Sequence, residues 1–115
     1  MTPEIQGPLL DKATAMARVG GDAELLKELA GLFIEEYPHY VTELHQALEA
    51  GDGPGVERTA HSLKGAVANF GARQAVDAAF QLEQIGRSGR LEPAADLLRA
   101  LDLVLMALHA ELVRL

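Results

Sequence analysis

A histidine, a lysine and a glycine stand within five positions of one another in Ala60-His61-Ser62-Leu63-Lys64-Gly65-Ala66-Val67-Ala68-Asn69-Phe70-Gly71-Ala72. On a helix turning about 100° per residue, Val56, Leu63, Val67 and Phe70 gather on one side, which must face a core. His61 falls on the opposite side and shares its patch with Glu57, Lys64, Gly65 and Ala68. A neutral imidazole projecting from a helix is a good nucleophile near neutral pH. If its ring nitrogen attacks a phosphoryl donor, the product is a phosphoramidate labile enough to be handed on. Lys64, three residues along, reaches the phosphoryl oxygens as a point charge. Gly65 is the odd member, because glycine inside a helix costs about 1 kcal/mol relative to alanine. On an exposed face no packing contact requires it to be small. The remaining reason is that another molecule must come close to the backbone beside the imidazole.

A carboxylate bonded to the second ring nitrogen would fix the tautomer and the ring's orientation. Glu83 is the best-placed candidate. Two helices joined by a turn near Gly71 form an antiparallel hairpin, and His61 and Glu83 lie about equally far from that turn. Glu83 also shares a stripe with Ala72, Val76 and Ala79, whose small side chains allow close approach. Gln81 or Gln84 takes the role if the helix is rotated, and a surface pair with Arg87 is the competing use of Glu83.

The elements that position these residues read as helices throughout. Apolar residues recur at three- and four-residue intervals, and the β-branched and aromatic runs of strands are missing. A short first helix spans Pro8 to Val19, with Leu9, Ala13, Met16 and Ala17 on one side. Gly20-Gly21 ends it, and Asp22 caps the second helix. The next stripe, Leu25, Leu29, Leu32, Phe33, Tyr37, Tyr40, Val41, Leu44 and Leu48, stays in phase across Pro38, which predicts one long helix kinked there. Gly51-Asp52-Gly53-Pro54 makes a turn. A third helix is expected from about Pro54 to Phe70, and a fourth from about Ala72 to Ile85, closed by Gly86 to Gly89. A fifth begins near Pro93 and carries Leu97, Leu98, Leu101, Val104, Leu105, Leu108 and Leu112. The expected fold is all-α: an antiparallel four-helix bundle over about 22–115, with the short additional N-terminal helix at 8–19, the whole of 1–115 forming one domain.

Composition narrows the function. The 115 residues are 49% hydrophobic and only 4% aromatic, so the core must be built from Leu, Ala and Val. With no Cys, disulfides and thiolate metal sites are excluded and a reducing cytoplasm is the natural home. A net charge of -7, with the ten basic residues spread along the chain, argues against nucleic acid as a partner. Met1 to Leu10 holds Glu4, two prolines and no basic cluster, unlike a secretory leader. The apolar stretches are broken by charge well short of a membrane span.

The segment His61-Ser62-Leu63-Lys64-Gly65, followed by Ala68-Asn69-Phe70-Gly71-Ala72, resembles the signature of histidine-containing phosphotransfer (HPt) domains of two-component phosphorelays. The resemblance runs from about Leu25 to the C-terminus and takes in Phe33-Ile34-Glu35-Glu36-Tyr37-Pro38, Ala50-Gly51-Asp52 and Leu82-Glu83. It implies a four-helix bundle and phosphorylation of His61. Transfer would be to and from receiver-domain aspartates of response regulators or a hybrid sensor histidine kinase. It also implies Lys64 and Gly65 as site neighbours, an acidic or amide residue where Glu83 stands, and no ATP site. On this reading the chain is a carrier rather than an enzyme. It works as a monomer, needs no cofactor or metal of its own, and contacts neither nucleic acid nor membrane.

Three rivals carry less weight. A di-iron bundle needs paired Glu-x-x-His motifs, and the one match, Glu36-Tyr37-Pro38-His39, has a proline inside it. A histidine-kinase phosphoacceptor segment would carry an acidic residue after the histidine, where Ser62 stands. An adaptor bundle with an incidental histidine predicts that replacing His61 changes nothing in signalling. His39, His45 and His109 read as ordinary solvated or packed side chains.

Overall fold

The computed structural model describes residues 8–115. Met1 to Gly7, most of the stretch read as unlike a leader, lies outside the described residues. The helices are, in order, α1 (Lys12–Arg18), α2 (Ala23–Glu49), α3 (Gly53–Ala68), α4 (Arg73–Ser88) and α5 (Ala94–Leu112). Asp11, Asp22 and Asp52 start the first three, each carboxylate accepting from the backbone N–H three residues on, which satisfies a donor the helix itself cannot. The turns between helices pass through Gly51, Gly71 and Gly89 at positive φ.

Helices α2 to α5 form an antiparallel four-helix bundle in which each packs on the next and α5 closes against α2. Leu44, Val56, Leu63, Val67, Phe70, Leu82, Leu98, Leu101, Leu105 and Leu108 are buried in its centre. Each such side chain taken from water contributes about 1.5–3 kcal/mol. No helix among the described residues is long and apolar enough to cross a membrane.

The short N-terminal helix is present but differs in extent and face. It begins at Lys12 rather than Pro8, and Ala15 is its buried residue, while Ala13 and Ala17 face solvent. It is held by polar contacts at its entry. The Glu111 carboxylate accepts from Leu9 N and Leu10 N at 2.8–3.0 Å, and Asp11 N donates to Phe70 O at 3.0 Å. The segment is thereby tied across the end of the bundle where α3 turns into α4.

Helix α2 runs unbroken through Pro38. Its buried line is Leu26, Ala30, Phe33 and Leu44, so Leu25 and Leu32, expected in the core, are exposed. Phe70 lies past the end of α3 yet is buried, in ring contact with Phe33. Helix α4 continues three residues beyond the expected Ile85 and takes in Gly86. A Cβ there would sit 2.5 Å from Glu57 N and 2.7 Å from Gly53 O. Gly86 is thus where the backbones of α3 and α4 touch, and its role is close packing, not helix termination.

Candidate functional site

That close approach sets the register of the α3–α4 hairpin. Glu57 faces Arg87, His61 faces Glu83 and Lys64 faces Phe80, and each of these pairs is centred on Ala72, the residue that opens α4. Residues equidistant from the turn therefore stand at equal height, which is what places a carboxylate of α4 beside an imidazole of α3.

His61 projects from the middle of α3 with its side chain 67% exposed. The Glu83 side chain is only 8% exposed and sits beneath it. Its Oε2 is 2.9 Å from His61 Nδ1, and its Oε1 accepts from Lys64 Nζ at 2.7 Å. One carboxylate thus holds both the imidazole and the ammonium. An ionised carboxylate only accepts hydrogen bonds. Nδ1 must then carry the proton, and in the neutral ring Nε2 keeps a free lone pair on the solvent side.

The Lys64 hydrogen bond holds the Glu83 carboxyl below its usual 4.5; the His61 hydrogen bond and both neighbouring charges act in the same direction, against burial, which alone would raise it. The folded state therefore favours the ionised form. The stability it contributes is fully present above the unfolded value and is lost as acid titrates the group in the folded protein. Glu83→Gln should cost roughly 1–2 kcal/mol at neutral pH, modest because both partners remain in reach of water. Denaturant midpoints of the two proteins should differ at pH 5 and converge as the pH falls below the unfolded carboxyl value of 4.5. A gap that persists or grows as the pH falls further below that value would contradict the assignment.

Gly65 lies one turn beyond His61 on the exposed face. A Cβ built there meets no atom within 4 Å, so nothing among the described residues requires a glycine. Beyond it, between α2 and α3, a groove is lined by Leu29, Leu32, Phe33, Glu36, Tyr40, Ala66, Asn69 and Phe70.

The structure brings His61, Lys64 and Glu83 into one network, with Gly65 beside them. Gln81 and Gln84, the alternative orienters, are exposed. Arg87 pairs with Glu57 at 2.7 Å instead of with Glu83. The other histidines lie elsewhere: His45 is 3.2 Å from Asp102, His109 is 2.8 Å from the Tyr37 hydroxyl, and His39 is exposed. Among the described residues, no group of three or more His, Asp or Glu is placed to hold a metal ion. Sequence reasoning passed over Phe80, whose ring lies 5.1 Å from Lys64 Nζ. The available signal was a large apolar residue one turn before Glu83, flanked by Gln81 and Gln84.

The helical bundle thus presents an outward imidazole backed by a buried carboxylate. The chain belongs to the Hpt domain family, whose model matches residues 28–112. It is similar to histidine-containing phosphotransfer protein B (HptB) from Pseudomonas aeruginosa PAO1, with a TM-score of 0.87 and 26% sequence identity over 95% of each chain. No match was found among curated proteins. The chain is a histidine phosphotransfer carrier of the phosphorelay type.

Proposed function

We propose that His61 is the phosphoacceptor, receiving the group from a receiver-domain aspartate and passing it to another receiver. The observation that carries this reading is the Glu83 carboxylate at Nδ1, which leaves Nε2 as the outward nucleophile. A phosphorylated receiver docks over the Gly65 face and brings its aspartyl phosphate in line with Nε2. The lone pair attacks phosphorus, the P–O bond to the aspartate breaks, and the carboxylate leaves with the bonding electrons. The ring becomes a phosphoimidazolium that keeps its Nδ1 proton, and Glu83 offsets the positive charge.

Lys64, already 2.7 Å from Glu83, turns part of its charge toward the phosphoryl oxygens. The reverse steps load the next receiver. This chain contributes a positioned nucleophile and two fixed charges, and the partner supplies the rest of the electrostatic stabilisation. The interface is of the small transient kind, an apolar centre within a polar rim. The partners are receiver domains of response regulators or of a hybrid sensor histidine kinase, and the cysteine-free composition suits a reducing cytoplasm.

The test is incubation of the chain with a phosphorylated receiver domain. Transfer should leave an acid-labile, base-stable label on this protein, which a second receiver then removes. A chain that stays unlabelled while the donor holds its phosphoryl group would overturn the proposal.

A further inference from the structure

Helix α4 places one large apolar side chain outside the core and against the site. Phe80 is 47% exposed, with Asp77, Gln81 and Gln84 exposed around it on the same helix. The core does not account for its identity. Its ring faces the Lys64 ammonium, 5.1 Å from the centroid. Lys64 Nζ is at the same time 2.7 Å from Glu83 Oε1, so the ammonium is held from two sides.

The two anchors differ in what they take from it. Glu83 occupies an N–H donor and neutralises charge. An aromatic face attracts the cation through its quadrupole and leaves the remaining N–H groups free for oxygen acceptors. Lysine is otherwise a flexible four-carbon stem that must lose rotamer freedom to hold any one position. A ring beside it confines the charge without competing for the donors a phosphoryl group needs.

We propose that Phe80 is a positioning residue for phosphoryl transfer, acting through Lys64: its ring keeps the ammonium at the mouth of the site, ready to move from Glu83 toward phosphoryl oxygens on His61. The inference rests on His61 being the phosphoacceptor. It assigns an exposed aromatic ring on α4 to transition-state charge placement and not to partner binding.

The experiment loads His61 in two ways, from a phosphorylated receiver domain and from phosphoramidate. In the second, Nε2 attacks phosphorus, the P–N bond breaks and ammonia leaves. Phosphoramidate is too small to use Phe80 as a docking surface. Phe80→Leu keeps bulk and removes the π face, and Phe80→Tyr keeps both. Exposed cation–π contacts are weak, so Phe80→Leu should slow loading from both donors by roughly two- to five-fold. Phe80→Tyr should restore the rate, and Phe80→Leu should have no effect in a Lys64→Met background. Loading of Phe80→Leu at the wild-type rate overturns the proposal. So does slowing confined to the receiver, or slowing that persists without Lys64, since either makes Phe80 a docking contact. A wild type that accepts phosphoryl from neither donor removes the phosphoacceptor reading beneath it, a result distinct from a wild type that loads normally beside an unaffected Phe80→Leu.

Discussion

A His61→Gln variant should leave incubation with a phosphorylated receiver domain carrying no acid-labile phosphoryl group. Glutamine keeps an N–H that can donate to Glu83, but its amide offers no nucleophilic nitrogen lone pair. The fold should tolerate the change. The imidazole is two-thirds in solvent, and the Lys64–Glu83 bond beneath it does not depend on the ring. The stability cost should be about 1 kcal/mol or less, the net worth of one hydrogen bond, and a thermal melt compared with wild type measures it. Background labelling together with a near-native melt is the expected pair of results. Equal labelling of both proteins would remove His61 from the acceptor role.

Gly65→Leu should separate docking from folding. A Cβ at this position meets nothing within 4 Å, and leucine is a better helix former than glycine by roughly 0.5–1 kcal/mol. The variant should therefore melt at or slightly above the wild-type temperature. A leucine side chain would nonetheless stand up beside Nε2 and hold the incoming receiver away. Displacing reacting groups by about 1 Å can cost on the order of 100-fold in rate. Single-turnover transfer should fall by about that factor while helicity and melting stay intact. Unchanged kinetics would show that no partner backs onto Gly65.

Both predictions use features that are legible in the residue pattern. The outward histidine follows from the Val56–Leu63–Val67 stripe, because a helix buried on one face must expose the other. That Glu83 stands level with His61 follows from hairpin symmetry about the turn. Which residue Glu83 chooses is not legible, since the choice over Arg87 depends on Glu57 lying opposite Arg87 to take it. That Glu83 also holds Lys64 depends on helix rotation and on its burial, neither of which spacing fixes.

The misread positions share a cause. In the first half of α2 the buried line passes through Leu26 and Ala30, leaving Leu25 and Leu32 outside. Alanine gives little hydropathy contrast, so the leucines dominate the pattern, whereas close helix packing favours small residues. Ala15 in α1 is the same case. Gly86 reads as a helix end because glycine usually interrupts helices. Only the neighbouring backbone of Gly53 and Glu57 shows that it serves contact instead.

The most direct measurement is NMR of the phosphorylated protein with 15N-labelled histidine rings, read through phosphorus–nitrogen coupling. With Glu83 holding the proton on Nδ1, the phosphoryl group should appear on Nε2 of His61 alone, with the Nδ1 proton retained. Phosphorus coupled to Nδ1, or to the ring of any other histidine, would contradict the account.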